Sequence, residues 1–382
     1  MRRLALAAML LVIGAVAGAT HGEAAGSSTW ILQATPTPNV TTGGGLLVGV
    51  SCPSTTDCVA VGYDGAAPLS EMWNGSKWTV HPVSVPAGSL RTQLQGVSCP
   101  STTTVGCTAV GSYLSTAGSV TLAERWSKGH WVIQPTPTSV TGASGPVLFG
   151  IDCLVASNCT AVGRSGVNET LVEQWNGVSW ALVTSPIPSG SSWSQLNGVS
   201  CSSRTACVAV GYALDSSGNE FMLAEGWDGG QWTILAPPEP DGATQSSLAS
   251  VSCAPAAGCV AVGIATIAGA DIESLAEGWD GSQWTIEPTP SLSTPELNGV
   301  SCPAPGNCTA VGSYDTSGST GFPLAEAWNG TVWTVESTQN PSGRTLAWLR
   351  SASCVSTTTC EAVGFSRDKP GHFHTLAESA TP

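Results

Sequence analysis

Apolar and polar residues alternate along this chain in short runs that recur at regular intervals. The clearest run is Leu196–Cys201, read as L-N-G-V-S-C, which a five-residue loop separates from Cys207–Gly211, read as C-V-A-V-G. Further on, Leu223–Trp227 reads L-A-E-G-W, and Trp232 opens the last run. Alternation with a period of two predicts β-strands. Each repeat therefore predicts four short strands.

The pattern occurs seven times, and the copies are evenly spaced. Successive first cysteines lie 47 to 54 residues apart, the extremes being the steps from Cys52 to Cys99 and from Cys99 to Cys153. Four strands in a period of this size are typical of the blades of a β-propeller. The seven first cysteines are Cys52, Cys99, Cys153, Cys201, Cys253, Cys302 and Cys354.

The order of the strands follows from their composition. Short loops join the first two segments, and Asn-Gly or Asp-Gly turns such as Asn176-Gly177 join the last two, so each repeat is a pair of hairpins. The fourth segment often carries proline, as at Pro288 and Pro290, which favours an exposed edge. The first two segments are rich in small residues and are expected near a central axis.

The two ends of the chain complement each other. The seventh copy stops after Leu376–Glu378 and lacks a fourth segment, whereas Trp30–Pro36 forms such a segment before the first copy begins. We therefore expect an all-β fold over residues 26–382: a seven-bladed β-propeller with four antiparallel strands per blade. Its ring would be closed by the N-terminal strand, which completes the last blade and leaves no free edge.

The fourteen cysteines form seven short-range pairs. Each pair spans one hairpin loop, which brings its two Cα atoms within the separation that a disulfide requires. Zinc is disfavoured because C-x5-C spacing with few histidines is not typical of zinc sites, and no C-x-x-C motif suggests redox chemistry. The expected disulfides are Cys52–Cys58, Cys99–Cys107, Cys153–Cys159, Cys201–Cys207, Cys253–Cys259, Cys302–Cys308 and Cys354–Cys360.

The N-terminus predicts export. Arg2 and Arg3 precede an apolar run, and small residues suit cleavage near residue 19 or 25, so residues 1–25 are interpreted as a signal peptide. The disulfides favour the same oxidising location, extracellular or periplasmic. The run is too short for a membrane span. A net charge of −14 disfavours nucleic acid, and we expect a secreted monomer.

The combined run, L-x-G-V-S-C, C-x-A-V-G and L-x-E-x-W-N-G-x-x-W, resembles the uncharacterised secreted propeller repeats of soil bacteria. It is more distantly similar to kelch and Asp-box propellers, although Trp73, Trp175 and Trp227 stand where an Asp-box turn would have its Asp. The resemblance covers roughly residues 28–382 and implies the fold and export. It implies no particular activity.

Two repeated residue types have structural explanations. One glutamate per third segment alternates with Leu and Trp, and we expect each to be partly buried between blades, accepting hydrogen bonds from backbone or indole N–H groups. The paired tryptophans are expected to form a packing girdle. The glutamates are Glu71, Glu124, Glu173, Glu225, Glu277, Glu326 and Glu378.

Any binding site is expected where the repeat is irregular. The loops within each hairpin share one face of the disc and hardly vary, whereas the second-to-third and blade-to-blade connections share the other face and differ in every repeat. Irregular aromatic and charged residues there favour an extracellular glycan or a protein as partner; ordinary solvated loops are the alternative. The candidate ligand-binding residues are Tyr63, Arg164, Trp193, Tyr212, Tyr314, Trp348, His372 and His374.

Catalysis lacks a matching constellation. A secreted carbohydrate-active enzyme, a glycoside hydrolase or a sialidase-like protein, is the alternative function, with Asp64, Asp215 and Asp315 as carboxylates on the variable face. His372 and His374 with Asp368 form only a weak metal-binding pattern. We therefore predict a binding or scaffold module with no cofactor and no metal, and no catalytic residue is assigned.

Overall fold

The structure is a computed structural model, and its described part contains β-strands and no helix. It thus holds no helix that is long and apolar enough to cross a membrane. The predicted signal peptide lies outside the described residues. These residues are 28–36, 44–100, 106–137, 145–166, 169–254, 258–268, 272–316 and 321–381.

The strands fall into four classes by their place in the repeat. The first strands are β2 (Gly45–Ser54), β6 (Ser89–Ser98), β10 (Val147–Val155), β14 (Ser191–Ser203), β18 (Ala243–Ala254), β22 (Glu296–Ala304) and β26 (Arg344–Ser356). The second strands are β3 (Asp57–Asp64), β7 (Thr108–Ser115), β11 (Asn158–Arg164), β15 (Ala206–Asp215), β19 (Gly258–Ile267), β23 (Asn307–Asp315) and β27 (Thr359–Asp368). The third strands are β4 (Ala67–Trp73), β8 (Gly118–Ser127), β12 (Thr170–Trp175), β16 (Glu220–Trp227), β20 (Ile272–Trp279), β24 (Gly321–Trp328) and β28 (Phe373–Thr381). The fourth strands are β5 (Trp78–Val80), β9 (His130–Gln134), β13 (Trp180–Val183), β17 (Trp232–Ile234), β21 (Trp284–Ile286), β25 (Trp333–Glu336) and, from the N-terminus, β1 (Thr29–Gln33).

Within each repeat the strands pair in sequence order and antiparallel. The fourth strands are short and lie at the sheet edge, as their prolines predict. The edge strand next to β28 is β1, with Trp30 opposite Ala380 and Gln33 opposite Ala377. The N-terminal strand therefore occupies the fourth position of the last repeat.

The number of separate sheets differs from the prediction of seven. The described strands form five four-stranded sheets and one eight-stranded sheet, and no pairing path closes them into a ring. The larger sheet arises because a single parallel bridge, Gly321 to Leu346, connects β24 to β26. Gly321 permits this approach, since a Cβ atom there would lie 2.6 Å from Trp348 Nε1. Strand pairing alone therefore does not yield seven separate blades.

A β-bulge interrupts every first strand at the same motif position. In the first repeat the pairing shifts between Leu47 and Gly49, so Val48 is left without a partner. The strand bends there toward the second strand, where a Cβ atom on Gly62 would lie 1.9 Å from the Leu46 carbonyl oxygen. This approach explains the glycine in C-x-A-V-G, because any side chain at Gly62 would collide with the backbone.

The hydrophobic core lies between successive sheets. Val210 and Ala224 of the fourth repeat pack with Leu248 and Ala261 of the fifth. Burying one such leucine contributes about 2 kcal/mol. Leu47 of the first repeat packs in the same way with residues of the seventh, among them Val363 and Ala377.

One hydrogen bond recurs between neighbouring first strands. The residue before the first cysteine accepts the N–H of the first cysteine in the next repeat, as Ser200 Oγ does from Cys253 at 3.0 Å. In the third repeat Asp152 replaces this serine and accepts from Cys201 at 2.6 Å. The other pairs, donor first, are Cys99–Ser51, Cys153–Ser98, Cys302–Ser252, Cys354–Ser301 and Cys52–Ser353.

The predicted disulfides are confirmed. All seven link the cysteines of one hairpin, with Cα–Cα distances of 3.9 to 4.1 Å, and the described residues contain no free cysteine. The chain-entropy effect of so short a loop is about 2 kcal/mol per bond. The bonds therefore stabilise each hairpin locally.

Candidate functional site

The unpaired bulge residues of all seven first strands line one cavity. A wider part of about 310 Å³ also includes Tyr63 and Gln195, and a part of about 190 Å³ reaches the backbone of Gly49, Gly198 and their equivalents. A bulge redirects the side chain that it leaves out of the pairing. We call this cavity the central funnel. Its bulge residues are Val48, Gln95, Phe149, Asn197, Ala249, Asn298 and Arg350.

Side-chain amides hold part of the funnel in place. Asn197 donates through Nδ2 to the Leu248 carbonyl oxygen at 2.8 Å and accepts from Gln195 Nε2 at 2.6 Å. Asn298 likewise donates to the Leu349 carbonyl oxygen at 3.2 Å. Each asparagine thus fixes the bulge of the next repeat. The funnel wall is therefore preorganised by contacts between repeats.

Arg350 is the only charged bulge residue. Its Nη1 donates to Asn298 Oδ1 at 3.3 Å. Burial lowers the pKa of Arg350, while Glu296 and Tyr63 oppose this effect. Burial also raises the pKa of Glu296, which Arg350 opposes and Asp315 reinforces. A guanidinium has five N–H donors and stays protonated in proteins, so Arg350 brings a charged donor group to the funnel lining.

One of the eight predicted site residues lines the funnel, and three others contact or pair with its lining residues or with one another. Tyr63 lines it directly. The Arg164 guanidinium lies 5.7 Å from the ring centre of Phe149, a funnel residue. Tyr212 pairs across the sheet with Gln195 and stacks on Trp193 with ring centres 5.1 Å apart. Burial raises the Tyr212 pKa; Glu220 adds to this and Arg164 opposes it.

Tyr314 and Trp348 form other contacts. The ring centres of Tyr314 and Phe322 are 5.7 Å apart, and those of Trp348 and Phe365 are 5.6 Å apart. Phe365 also makes an edge contact with Phe373. Neither Tyr314 nor Trp348 lines the funnel. Their packing roles account for the aromatic residues at these positions.

His372 and His374 gather around one carboxylate. Their ring nitrogens lie 3.4 Å and 3.1 Å from Asp368 Oδ2, and Asp368 Oδ1 accepts from the Gly371 backbone N–H at 3.0 Å. The His374 hydrogen bond, with further bonds from His372, lowers the Asp368 pKa to about 2. No group of three or more metal-binding side chains suited to hold an ion occurs in the described part of the chain. The cluster shapes the loop between β27 and β28.

The seven repeated glutamates are fully buried, which is more than the partial burial predicted. Several accept hydrogen bonds from the preceding repeat or its connection, as Glu173 does from Thr121 Oγ1 at 3.0 Å and Glu225 from Ser185 Oγ at 2.7 Å. Burial raises the pKa of Glu71, Glu124, Glu277, Glu326 and Glu378 to about 8, and that of Glu173 and Glu225 to about 7.

Of the two expected kinds of donor, backbone N–H groups reach two of these glutamates, from Ser84 to Glu124 at 3.2 Å and from Gln339 to Glu378 at 3.5 Å, but no indole N–H among the described residues does. Four indole N–H groups donate instead to the residue three positions after the fourth-strand tryptophan of the preceding repeat: those of Trp30, Trp78, Trp180 and Trp333. Trp78 thus donates to Gln33 at 2.5 Å, and Trp30 to Glu336 at 2.8 Å. The tryptophan pairs do pack as predicted, with ring centres 5.4 to 5.9 Å apart.

Sequence reasoning missed the bulge residues, although they carry a signal. In L-x-[GS]-V the flanking positions are nearly constant, whereas the position x holds Val, Gln, Phe, Asn, Ala, Asn and Arg in turn. A position that varies inside an otherwise constant strand motif is expected to have its side chain outside the shared core. The prediction concentrated on loops and therefore overlooked it.

The sequence matches no protein-family model and no curated protein. Solved structures are similar to it. YCF48 from Cyanidioschyzon merolae superposes with a TM-score of 0.54 at 14% identity, over 92% of this chain and 98% of that chain. The extracellular domain of a putative hybrid two-component system from B. thetaiotaomicron gives 0.51 at 8% identity, over 87% and 38% of the two chains. A six-bladed lectin from Aleuria aurantia gives 0.45 at 11% identity, over 74% and 89%.

The neighbours of this chain are β-propeller proteins. The all-β propeller fold that the repeats predict is therefore confirmed. Identities this low show a shared fold alone. The lectin is too distant to bear on the ligand of this chain.

Proposed function

We propose that this protein is a secreted binding module that receives a neutral portion of a glycan in the central funnel. The observation that carries this proposal is the convergence of seven irregular bulge residues on one cavity. The fold does not require any one residue type at this position, because the seven repeats carry six different ones there. Concave, preformed cavities with a few convergent polar groups are typical of ligand sites.

The chemistry of the lining favours a polyhydroxylated ligand. Gln95 and Gln195 offer amide donors and acceptors, Arg350 offers charged donors, and Tyr63 and Phe149 offer aromatic surface. Sugars present hydroxyl groups on their edges and C–H groups on their faces, which suit these two kinds of surface. Because the charge of Arg350 interacts with that of the neighbouring acid Glu296, the site favours neutral sugars over strongly charged ones.

We infer that the scaffold is a closed ring of seven blades spanning residues 26–382. The recurring first-strand hydrogen bond supports this, since the series runs through all repeats and returns from Cys52 to Ser353 at 2.9 Å. The funnel supports it too, because one cavity contacts first strands of every repeat. On this account the eight-stranded sheet is two blades joined at Gly321 and Leu346.

We also propose that residues 1–25 are removed on export and that the mature protein acts as a monomer outside the cytoplasm. Seven disulfides are typical of extracellular proteins. The sheet edges formed by the fourth strands are three to five residues long and are flanked in several repeats by proline, which disfavours association at these edges.

Filling the funnel tests the binding proposal. Ala249→Phe should block the cavity without unfolding the protein, because the third repeat carries Phe149 at the same motif position. The wild-type protein would be screened on an array of neutral, acidic and amino-sugar oligosaccharides. Ligands found there should lose at least about tenfold in affinity with Ala249→Phe, since the bulky ring excludes them.

Val178→Ala is the matched control. Val178 is 86% exposed in the hairpin between β12 and β13, so its truncation should leave binding unchanged. Melting curves of both variants would establish that they are folded. The proposal is wrong if the array detects no neutral glycan, or if Ala249→Phe binds as tightly as the wild type.

A further inference from the structure

A second cavity lies between the first and the last repeat, on the side of the disulfide hairpins. It has a volume of about 160 Å³ and is separate from the central funnel, with which it shares no residue. Its wall on the seventh repeat includes Ser353, Glu361 and Ser379, which are neighbours across three paired strands. The facing wall carries Trp73 and the Cys52–Cys58 disulfide.

The seventh repeat differs from the others at this cavity. Glu361 occupies the x of C-x-A-V-G, a position at which all other repeats carry a small uncharged residue. The fold therefore does not require an acid there. The equivalent residues are Val59, Thr108, Thr160, Val208, Val260 and Thr309.

Glu361 is incompletely hydrogen bonded. Its side chain is only 7% exposed, and its Oε2 accepts from Gln33 Nε2 at 3.3 Å. Its Oε1 is buried and has no hydrogen-bond partner in the described part of the protein. Burying an unpaired polar group destabilises a protein. A partner that enters the cavity would remove this penalty.

The other walls suit a cation. Trp73 contributes an indole surface and is held by Trp78, with ring centres 5.9 Å apart. No residue lining the cavity is Lys, Arg or His. One titratable group beside it is another acid, Asp57, which accepts a hydrogen bond from the lining residue Ser54 at 2.8 Å. An ammonium group is attracted both by a carboxylate and by an indole face.

We propose that this cavity binds a primary ammonium group, which pairs with Glu361 and lies against Trp73. The ammonium is carried either by a small aliphatic amine or by a lysine side chain of a polypeptide. The site is independent of glycan binding in the central funnel.

Calorimetric titration with n-butylamine and with Nα-acetyl-lysinamide tests the proposal. Because burial raises the Glu361 pKa to about 9, the titration is done at pH 8, where about a tenth of the carboxyl is ionised and the amines are protonated. Equal binding of the two probes indicates a free amine as ligand, and preference for the lysine derivative indicates a polypeptide. n-Butanol, which has the same shape without the charge, should not bind.

Glu361→Thr is the decisive variant, since threonine is native at this position in three other repeats. It should fold with an equal or higher melting temperature, because the unpaired acid is removed. Its amine affinity should fall at least about tenfold. Thr160→Val, at the same position in the third repeat, should keep full affinity.

Ala249→Phe should also keep amine binding, which separates this site from the central funnel. The proposal is overturned if neither amine binds the wild type, if n-butanol binds as well as n-butylamine, or if Glu361→Thr retains the wild-type affinity.

Discussion

The seven bulge residues are the least repetitive positions of a nearly constant strand motif. Leu47 and Gly62, by contrast, occupy motif positions that hold the same residue in every repeat. Leu47 is fully buried and Gly62 closely approaches the first strand, as expected for constant core positions. The direction of Val48 or Arg350 could not be read from period-two alternation, because a bulge breaks that period. The same limit applies to the predicted site: Tyr63, chosen for its irregularity, lines the funnel, whereas His374 lies in a local cluster around Asp368.

The buried glutamates predict how stability depends on pH. Burial raises the Glu277 pKa to about 8 from an ordinary 4.5, so the folded protein binds more protons than the unfolded one between these values. The contribution of these glutamates to the free energy of unfolding should therefore be greatest below about pH 4.5. It should fall as the pH rises to about 8. Melting temperatures measured from pH 5 to 9 would reveal the decline.

Glu277→Gln should flatten this pH profile. Both carboxylate oxygens of Glu277 lack hydrogen-bond partners among the described residues, so an uncharged amide of the same shape relieves the charge burial. One unit of pKa shift corresponds to about 1.4 kcal/mol, so the variant should melt higher than the wild type at pH 8.5. Glu169→Gln, an exposed residue, serves as control. A melting temperature that rises steadily from pH 5 to 9 would contradict the account.

At the scale of elements, β1 is the most consequential strand because it comes from the other end of the chain. Its Trp30 is 0% exposed, donates from its backbone to the Ser337 carbonyl oxygen at 3.0 Å and bonds through its indole to Glu336. The sequence predicted its pairing because the missing fourth segment of the last repeat could be recognised at the N-terminus. The parallel bridge between β24 and β26 could not be predicted, since it depends on one close approach at Gly321.

Trp30→Ala should lower stability by about 3–5 kcal/mol, because it leaves a large cavity under the edge of the last sheet. Chemical denaturation with tryptophan fluorescence would measure the change. Ile31→Ala is the matched control, since Ile31 is on the same strand and 46% exposed. Equal effects of the two substitutions would mean that β1 adds little to the last sheet.

Each disulfide joins two strands of one repeat, and none joins two repeats. Each closes one hairpin, so removing a single bond should loosen that hairpin without separating neighbouring sheets. Cys207→Ser with Cys201→Ser should lower stability by about 2 kcal/mol. Peptide mapping without reduction should show the other six pairs unchanged. A newly formed bridge between repeats would contradict this local role.

At the scale of the whole molecule, the repeat period, the disulfides and the complementary chain ends were sufficient to predict an all-β propeller. They could not locate the proposed binding site, because its residues converge only when seven distant first strands surround one cavity. Asn197 and Asn298, for example, are separated by two repeats in sequence, yet each anchors the bulge of the next repeat on the same funnel.

The most direct test of the account is a crystal structure of the mature, oxidised protein with a neutral oligosaccharide selected on the array. The account predicts seven blades around one axis, with sugar density in the central funnel contacting Gln95, Asn197 or Arg350. Sugar density between the outer strands of neighbouring sheets, with an empty funnel, would contradict it.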